Sequence, residues 1–332
     1  MLDAGLISQI QRLRFVVHRT RAGQAQGERR STKRGTSVEF ADYRDYTRGD
    51  DLRRVDWNIY ARLERPFVKL FEEEEDLAVH ILLDGSGSMD WGGEGEARRR
   101  GDAETGRHGD VETRGPGSGK WEYARRLAAA LGTIALSSGD RLSITLLQSS
   151  SSNVRGAKSE AQAPTADFQL PTSNLQLRGK GQTLRLFEWL SGLEAGGVTD
   201  LNAGLRRHAL TGGRAGLAML ISDLFSPPGY AEGLTALAAR GYEVTLIHLL
   251  APDEVEPPLE GDLRLVDIET GEQQEVTVDG EMRSLYRRRL AAWREEIRTA
   301  CRSRHIHYIT AVNDAPIEQF VLTDLRREGL VR

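Results

Sequence analysis

Three apolar runs of strand length constrain this chain more than any other feature. They are "LAVHILLD" (Leu77–Asp84), "AGLAMLIS" (Ala215–Ser222) and "YEVTLIHLL" (Tyr242–Leu250). The first is a near-continuous apolar run, and the other two are mostly apolar. Such runs read as strands covered on both faces, the situation of a parallel sheet under helices. Helical patterns separate them: "WEYARRLAAALGTIALSSGD", ended by Ser-Gly, then "LRLFEWLSGL", "LNAGLRRHAL" and "YAEGLTALAARG". "RLSITLL" adds a further strand. Strands alternating with helices predict an α/β fold with a doubly wound, mostly parallel sheet and helices on both faces.

The 332 residues allow a large domain plus a smaller one. Residues 1–76 read as an amino-terminal helix, about Leu2–Val17, a basic stretch, and a small β-rich unit. In that unit Val55–Ala61 and Phe67–Phe71 alternate apolar and polar residues around a turn at "ERP". Residues 77–250 form the main α/β domain. Within it, residues 92–119 are rich in Gly, Arg and Glu and predict a disordered insertion. "QSSSSNVRGAKSEAQAPTAD" predicts a second loop. Residues 251–332 extend the same domain with a hairpin turning at Thr270-Gly271, a long helix over Met282–Arg304, the strand "IHYITAV" and a last helix over Ala315–Arg327.

Composition narrows the function classes. Charged residues make up 28% and hydrophobic ones 39%, with a net charge of -4, which argues against a protein that coats nucleic acid through global charge. "GERRSTKRG" is a basic stretch without interleaved aromatics and reads as a solvated linker. The single cysteine, Cys301, rules out a disulfide framework within the chain and points to a reducing compartment. No stretch is long and apolar enough to predict a membrane span, and "MLDAGLISQIQRLRF" is too polar for a signal peptide. The expected location is the cytoplasm.

The first apolar run stops at Asp84, and "DGSGSM" follows. Ligands in open parallel sheets bind beyond the carboxyl ends of the strands, which is where Asp84, Ser86 and Ser88 fall. A carboxylate and two hydroxyls are hard oxygen donors, suited to Mg²⁺ or Mn²⁺ rather than zinc. Glycines between them let the chain turn sharply enough for alternate side chains to face one point. Further oxygens are expected at other strand ends: Thr199 in "GGVTDLNAGL" and Asp223 in "LISDLF". With only two carboxylates, a bound ion would keep positive character and could accept a carboxylate from a protein partner.

This pattern resembles the metal-ion-dependent adhesion site of von Willebrand factor type A domains. The resemblance implies a type A-like fold and makes Asp84, Ser86, Ser88, Thr199 and Asp223 metal ligands, direct or through water. It also implies that Thr199 and Asp223 exchange direct coordination when a partner binds. A second resemblance covers nearly the whole chain. "EFADYRDYTRGDDLRRVDW", joined to "LLDGSGSM", "LISDLF" and "DIETGE", is similar to the bacterial domain-of-unknown-function family 58. That likeness implies association with a MoxR-type AAA+ ATPase in the assembly or maturation of other proteins. The chain departs from the family in the 92–119 insertion and in the amino-terminal membrane helices that many relatives carry.

Other signals are weaker. "GPGSGKW" lacks the glycine and the Ser or Thr that a phosphate-binding loop needs at Arg114 and Trp121. Ser86 lacks the glycines of a nucleophile elbow at Asp84 and Ser88. His305 and His307 have no third ligand nearby for zinc. Arg44, Arg53 and Trp57, amid Asp50, Asp51 and Asp56, read as an ion-pair network holding a small unit together or as a partner-docking surface. The expectation is a metal-dependent protein-binding or adaptor protein that is not an enzyme. Two alternatives stand beside it: a Mg²⁺-dependent phosphoryl-transfer enzyme using Asp84, and a structural scaffold with an empty site.

Overall fold

The computed structural model describes residues 2–17, 39–47, 49–72, 76–91, 119–148, 173–258, 261–266 and 273–332. Two compact units make up the chain: residues 1–18 together with 77–332, and residues 19–76.

Helix α1 (Ala4–Ile10) starts the chain, capped by the Asp3 side chain, which accepts from the Leu6 amide at 2.8 Å. The sequence predicted a helix on to Val17. It stops sooner because residues 14–16 are claimed by the other end of the chain. The amides of Arg14 and Val16 donate to the carbonyls of Arg332 and Leu330, and Phe15 bridges Val331. Leu6, Ile10, Leu13 and Phe15 are buried in the core of the large unit, so tertiary pairing outweighs helical periodicity here.

In the small unit, β1 (Glu39–Asp45) and β2 (Phe67–Glu72) pair antiparallel, with an irregular register between Phe40 and Asp42. Between them lies α2 (Trp57–Leu63), where alternation over Val55–Ala61 had suggested a strand. Asp56 decides the outcome. Its carboxylate accepts from the amides of Asn58 at 2.9 Å and Ile59 at 3.2 Å, which nucleates a helix. Glu64 ends it at φ 56°, in the left-handed region. The unit is therefore mixed α and β.

Among the described residues the large unit holds a six-stranded sheet. The strands, in chain order, are β3 (Ala78–Asp84), β4 (Arg141–Leu147), β5 (Asn174–Arg178), β6 (Leu217–Ser222) and β7 (Glu243–Leu250). Next, β8 (Gly261–Val266) and β9 (Gln273–Val278) form a separate antiparallel pair, the predicted hairpin, whose turn lies outside the described residues. The sixth sheet strand is β10 (His307–Val312). Spatial order is β10-β7-β6-β3-β4-β5, and all neighbours are parallel except β5 against β4. The edge strand β5 was not foreseen.

The helices are α3 (Lys120–Ser137), α4 (Thr183–Ser191), α5 (Leu201–Thr211), α6 (Ala231–Ala239), the one-turn α7 (Pro252–Val255), α8 (Gly280–Arg302) and a last helical stretch over 317–327. Val79, Ile81 and Leu83 of β3 share one core with α1, α3, α4 and the last stretch. Leu82, on the opposite face, packs with α5, α6 and α8. Both faces of β3 are buried throughout, which accounts for its near-continuous apolar run. Each such side chain contributes about 1.5–3 kcal/mol by leaving water. Before β6, Gly216 runs so close to β3 that a Cβ there would sit 2.0 Å from the Ala78 carbonyl oxygen.

The chain leaves β3 toward β4 and returns to β6 on the other flank. The carboxyl ends of β3 and β6 therefore bound the topological switch point of the sheet, the crevice where α/β proteins bind ligands. The stretch predicted as disordered over 92–119 falls, but for Gly119, outside the described residues, as does "GERRSTKRG". Among the described residues no helix is long and apolar enough to cross a membrane.

Candidate functional site

The sheet brings Asp84 and Asp223 to that switch point. Asp84 is the last residue of β3 and 1% exposed; Asp223 directly follows β6 and is fully buried. Ser86 is buried in the loop after β3, and Ser88 stands in a short 3-10 turn over Gly87–Asp90. The loop folds back on itself: the Ser86 amide donates to Asp84 Oδ1 at 3.0 Å. The two serine hydroxyls are 3.0 Å apart, and Ser88 Oγ donates to Asp223 Oδ1 at 3.3 Å. A hydrogen-bonded path through the Ser86 amide and the two serine hydroxyls thus connects the loop to both buried carboxylates.

Thr199 reaches the same rim from the loop before α5. That loop is zipped onto the first: the Gly87 amide donates to the Gly197 carbonyl at 2.8 Å, and Gly196 donates to Gly85 at 2.9 Å. Gly197 holds φ 74°, a conformation open to glycine. Thr199 is buried, and its hydroxyl donates to the Leu147 carbonyl at 3.3 Å, the same oxygen that accepts the Gly85 amide. Asp200, beside it, caps α5 through the Ala203 amide. Four of the five expected ligands are therefore hydrogen-bonded to one another, and Thr199 is held alongside with its hydroxyl engaged by backbone.

The donor set fits a hard divalent ion. Oxygens on adjacent vertices around Mg²⁺ lie about 3 Å apart, given bonds of roughly 2.1 Å. The Ser86–Ser88 spacing matches this, and the Ser88–Asp223 spacing is slightly longer. Electrostatics agree. Burial, and then the nearby charge of Asp223, push the Asp84 carboxyl up to about 7, against hydrogen bonds from Ser222 and Ser86. A desolvated carboxyl whose charge a neighbouring carboxylate disfavours is what a cation relieves. Among the described residues no group of three or more His, Cys, Asp or Glu side chains is placed to hold a metal, so the candidate donors are these carboxylates and hydroxyls.

Residues 42–105 and 110–296 match a protein family described as "Protein of unknown function DUF58". This chain belongs to the DUF58 family. Uncharacterized proteins of Mycobacterium bovis and Mycobacterium tuberculosis are 26% identical to it over 295 residues, 89% of this chain and 81% of theirs. An uncharacterized protein of Mycobacterium avium is 38% identical over 120 residues, 35% of this chain and 69% of its own. Among solved structures, the conserved hypothetical protein BatB from Bacteroides thetaiotaomicron is 14% identical with a TM-score of 0.36, covering 76% of this chain and 98% of that one. An aerotolerance-related membrane protein from Bacteroides fragilis is 16% identical with a TM-score of 0.36, covering 76% and 99%.

In this DUF58 member the rim contains groups that sequence reasoning missed. Ser222, the last residue of β6, donates to Asp84 Oδ2 at 2.5 Å and accepts from the Leu224 amide. His248 of β7 contacts the Asp223 carbonyl through Nε2 at 3.1 Å and Tyr308 through Nδ1 at 2.8 Å. Burial pushes this imidazole down to about 4, against the charge of Asp223. Most unexpected is Lys120, the first residue of α3, whose side chain is wholly buried. Its Nζ donates to Asp223 Oδ2 at 2.7 Å and Glu254 Oε1 at 2.5 Å. Glu254 is raised by burial, opposed chiefly by Lys120, and its other oxygen accepts from the Ala251 amide. The Gly-Lys pair had been weighed only as a phosphate-loop imitation.

The remaining candidates, Arg44, Arg53 and Trp57, lie in the small unit. Arg44 pairs with Asp50 at 2.8 Å and donates to Thr47, which supports a local network. Asp50 is held down at about 2, first by the Thr47 amide and then by Arg44. Arg53 is exposed, and its amide donates to Asp51. Trp57 is 58% exposed and meets Tyr60 edge to face. His305 precedes β10, while His307 lies on it and faces Glu328.

Proposed function

We propose that the switch-point rim binds one divalent cation, Mg²⁺ or Mn²⁺, and presents it to an acidic side chain of a partner protein. Asp84, Ser86, Ser88 and Asp223 would hold the ion, with Thr199 exchanging its backbone contact for the coordination sphere. The ion supplies a positive centre that two carboxylates leave under-neutralised. The observation that carries this reading is the hydrogen-bonded path from Asp84 through the Ser86 amide and the Ser86 and Ser88 hydroxyls to Asp223. On this view the protein is an adaptor rather than an enzyme. The associate we name, a MoxR-type AAA+ ATPase, rests on the family resemblance, as do the type A likeness and the role in assembly or maturation. The cytoplasmic placement draws on the single buried cysteine, Cys301.

Calorimetric titration of the purified chain with Mn²⁺ should give one site that Asp84→Ala abolishes. Capture of partners from its own cells should fail in EDTA and with the same variant. Absence of any heat, or capture indifferent to chelator, would overturn the reading. A second reading, a scaffold without a resident ion, draws on one observation: the Lys120 side chain already lies against Asp223. A thermal melt unmoved by either cation favours it, since a ligand of the native state must stabilise that state.

A further inference from the structure

We propose that Lys120 is a tethered cation that competes with the divalent ion for Asp223 and so sets how tightly the rim loads. This rests on the divalent-ion reading above and concerns its regulation from within the chain.

The position of Lys120 is costly without its acidic partners. It opens α3, where exposed amide hydrogens of the first turn disfavour a positive side chain. Its side chain has no exposure, and burying an unpaired ammonium costs several kcal/mol per ion. Only its pairing compensates: Asp223 at 2.7 Å and Glu254 at 2.5 Å, with the Phe225 ring 5.5 Å away. Its own amide donates to the Trp91 carbonyl, beside the metal loop.

Asp223 divides its two oxygens between these roles. Oδ1 accepts from Ser88 Oγ and the Phe225 amide; Oδ2 accepts from Lys120. A divalent ion among the serine hydroxyls would therefore place two positive centres on one buried carboxylate. Like charges that close repel strongly where water is excluded. Glu254 gives the lysine an alternative seat. Its second oxygen is fixed by the Ala251 amide at 2.7 Å, so it remains in place if Lys120 releases Asp223. Loading of the ion and the Lys120–Asp223 contact are alternatives, with Glu254 retaining the lysine in both.

The test is calorimetric titration of wild type, Lys120→Met and Lys120→Gln with Mn²⁺, each shown to be folded by a cooperative melt. The expected result is at least tenfold tighter binding in both variants, persisting at high salt, where surface charges are screened. Affinities within twofold of one another overturn it while leaving the divalent-ion reading intact. Absence of binding by all three proteins overturns that reading, and this inference with it. If neither variant folds, Lys120 is a structural pin and the proposal fails.

Discussion

Mild acid should destabilise this protein through its buried imidazoles, and His208 of α5 allows one contribution to be isolated. The ring is 5% exposed and lies in a cluster with His80 and Tyr242, with centroids 5.1 Å and 5.7 Å away. Its Nδ1 faces the Thr145 hydroxyl at 3.4 Å, while Nε2 has no partner among the described residues. Burial first, then the neighbouring His80, push it from the ordinary 6.5 down to about 4. Above pH 6.5 the ring is neutral folded or unfolded and contributes no pH dependence. As pH falls from about 6.5 toward about 4, the unfolded chain takes up a proton that the native state refuses, so stability is lost across that window and levels off below it. A displacement of that size integrates to about 3 kcal/mol. Urea melts at closely spaced pH values would measure it, with His208→Phe as the comparison. Other groups titrate in both proteins, so the quantity of interest is the difference in slope. Wild type should lose about 3 kcal/mol more than His208→Phe between neutrality and pH 4. Parallel curves would refute the reasoning, because a neutral buried ring cannot be exchanged for phenyl without removing that term.

Mn²⁺ at a hundred times its dissociation constant should stabilise the wild type by about 2.7 kcal/mol, read as a rise in melting temperature that Asp84→Asn abolishes. Gly216→Ala would drive a methyl group to 2.0 Å from the Ala78 carbonyl; parting β3 from β6 should cost several kcal/mol, enough for loss of soluble protein or a sharply lowered melt. Asp56→Ala removes the cap of α2 and the acceptor of the Tyr43 hydroxyl; a loss of about 1–2 kcal/mol, confined to the small unit, should appear as faster hydrogen exchange there.

The sheet was legible because its central strands are buried on both faces, and β3, β6 and β7 show that burial as mostly apolar runs, broken by His80, Thr245 and His248. Asp84 and Asp223 were legible for the converse reason: each ends such a run at a carboxyl edge. Strand β5 was harder. Only Leu175 and Leu177 face the core, two residues in a polar setting, and the strand exists because β4 offers it an edge. Helix α2 was misread because alternation across seven residues does not separate two helical turns from a strand, and Asp56 was weighed for its charge rather than as a cap. Lys120 carried no local signal. Its partners lie 103 and 134 residues away, and only the sheet order brings these strand and helix ends together.

The tie between residues 14–16 and 330–332 has a consequence for biosynthesis. Phe15 and its backbone partner Val331 are on the order of three hundred residues apart in the chain, a separation that slows closure of the contact. Until that segment emerges, Leu6, Ile10 and Phe15 lack part of their covering, and a nascent chain exposes them. Chaperone occupancy during translation should therefore persist on Leu6, Ile10 and Phe15 until residues 330–332 emerge.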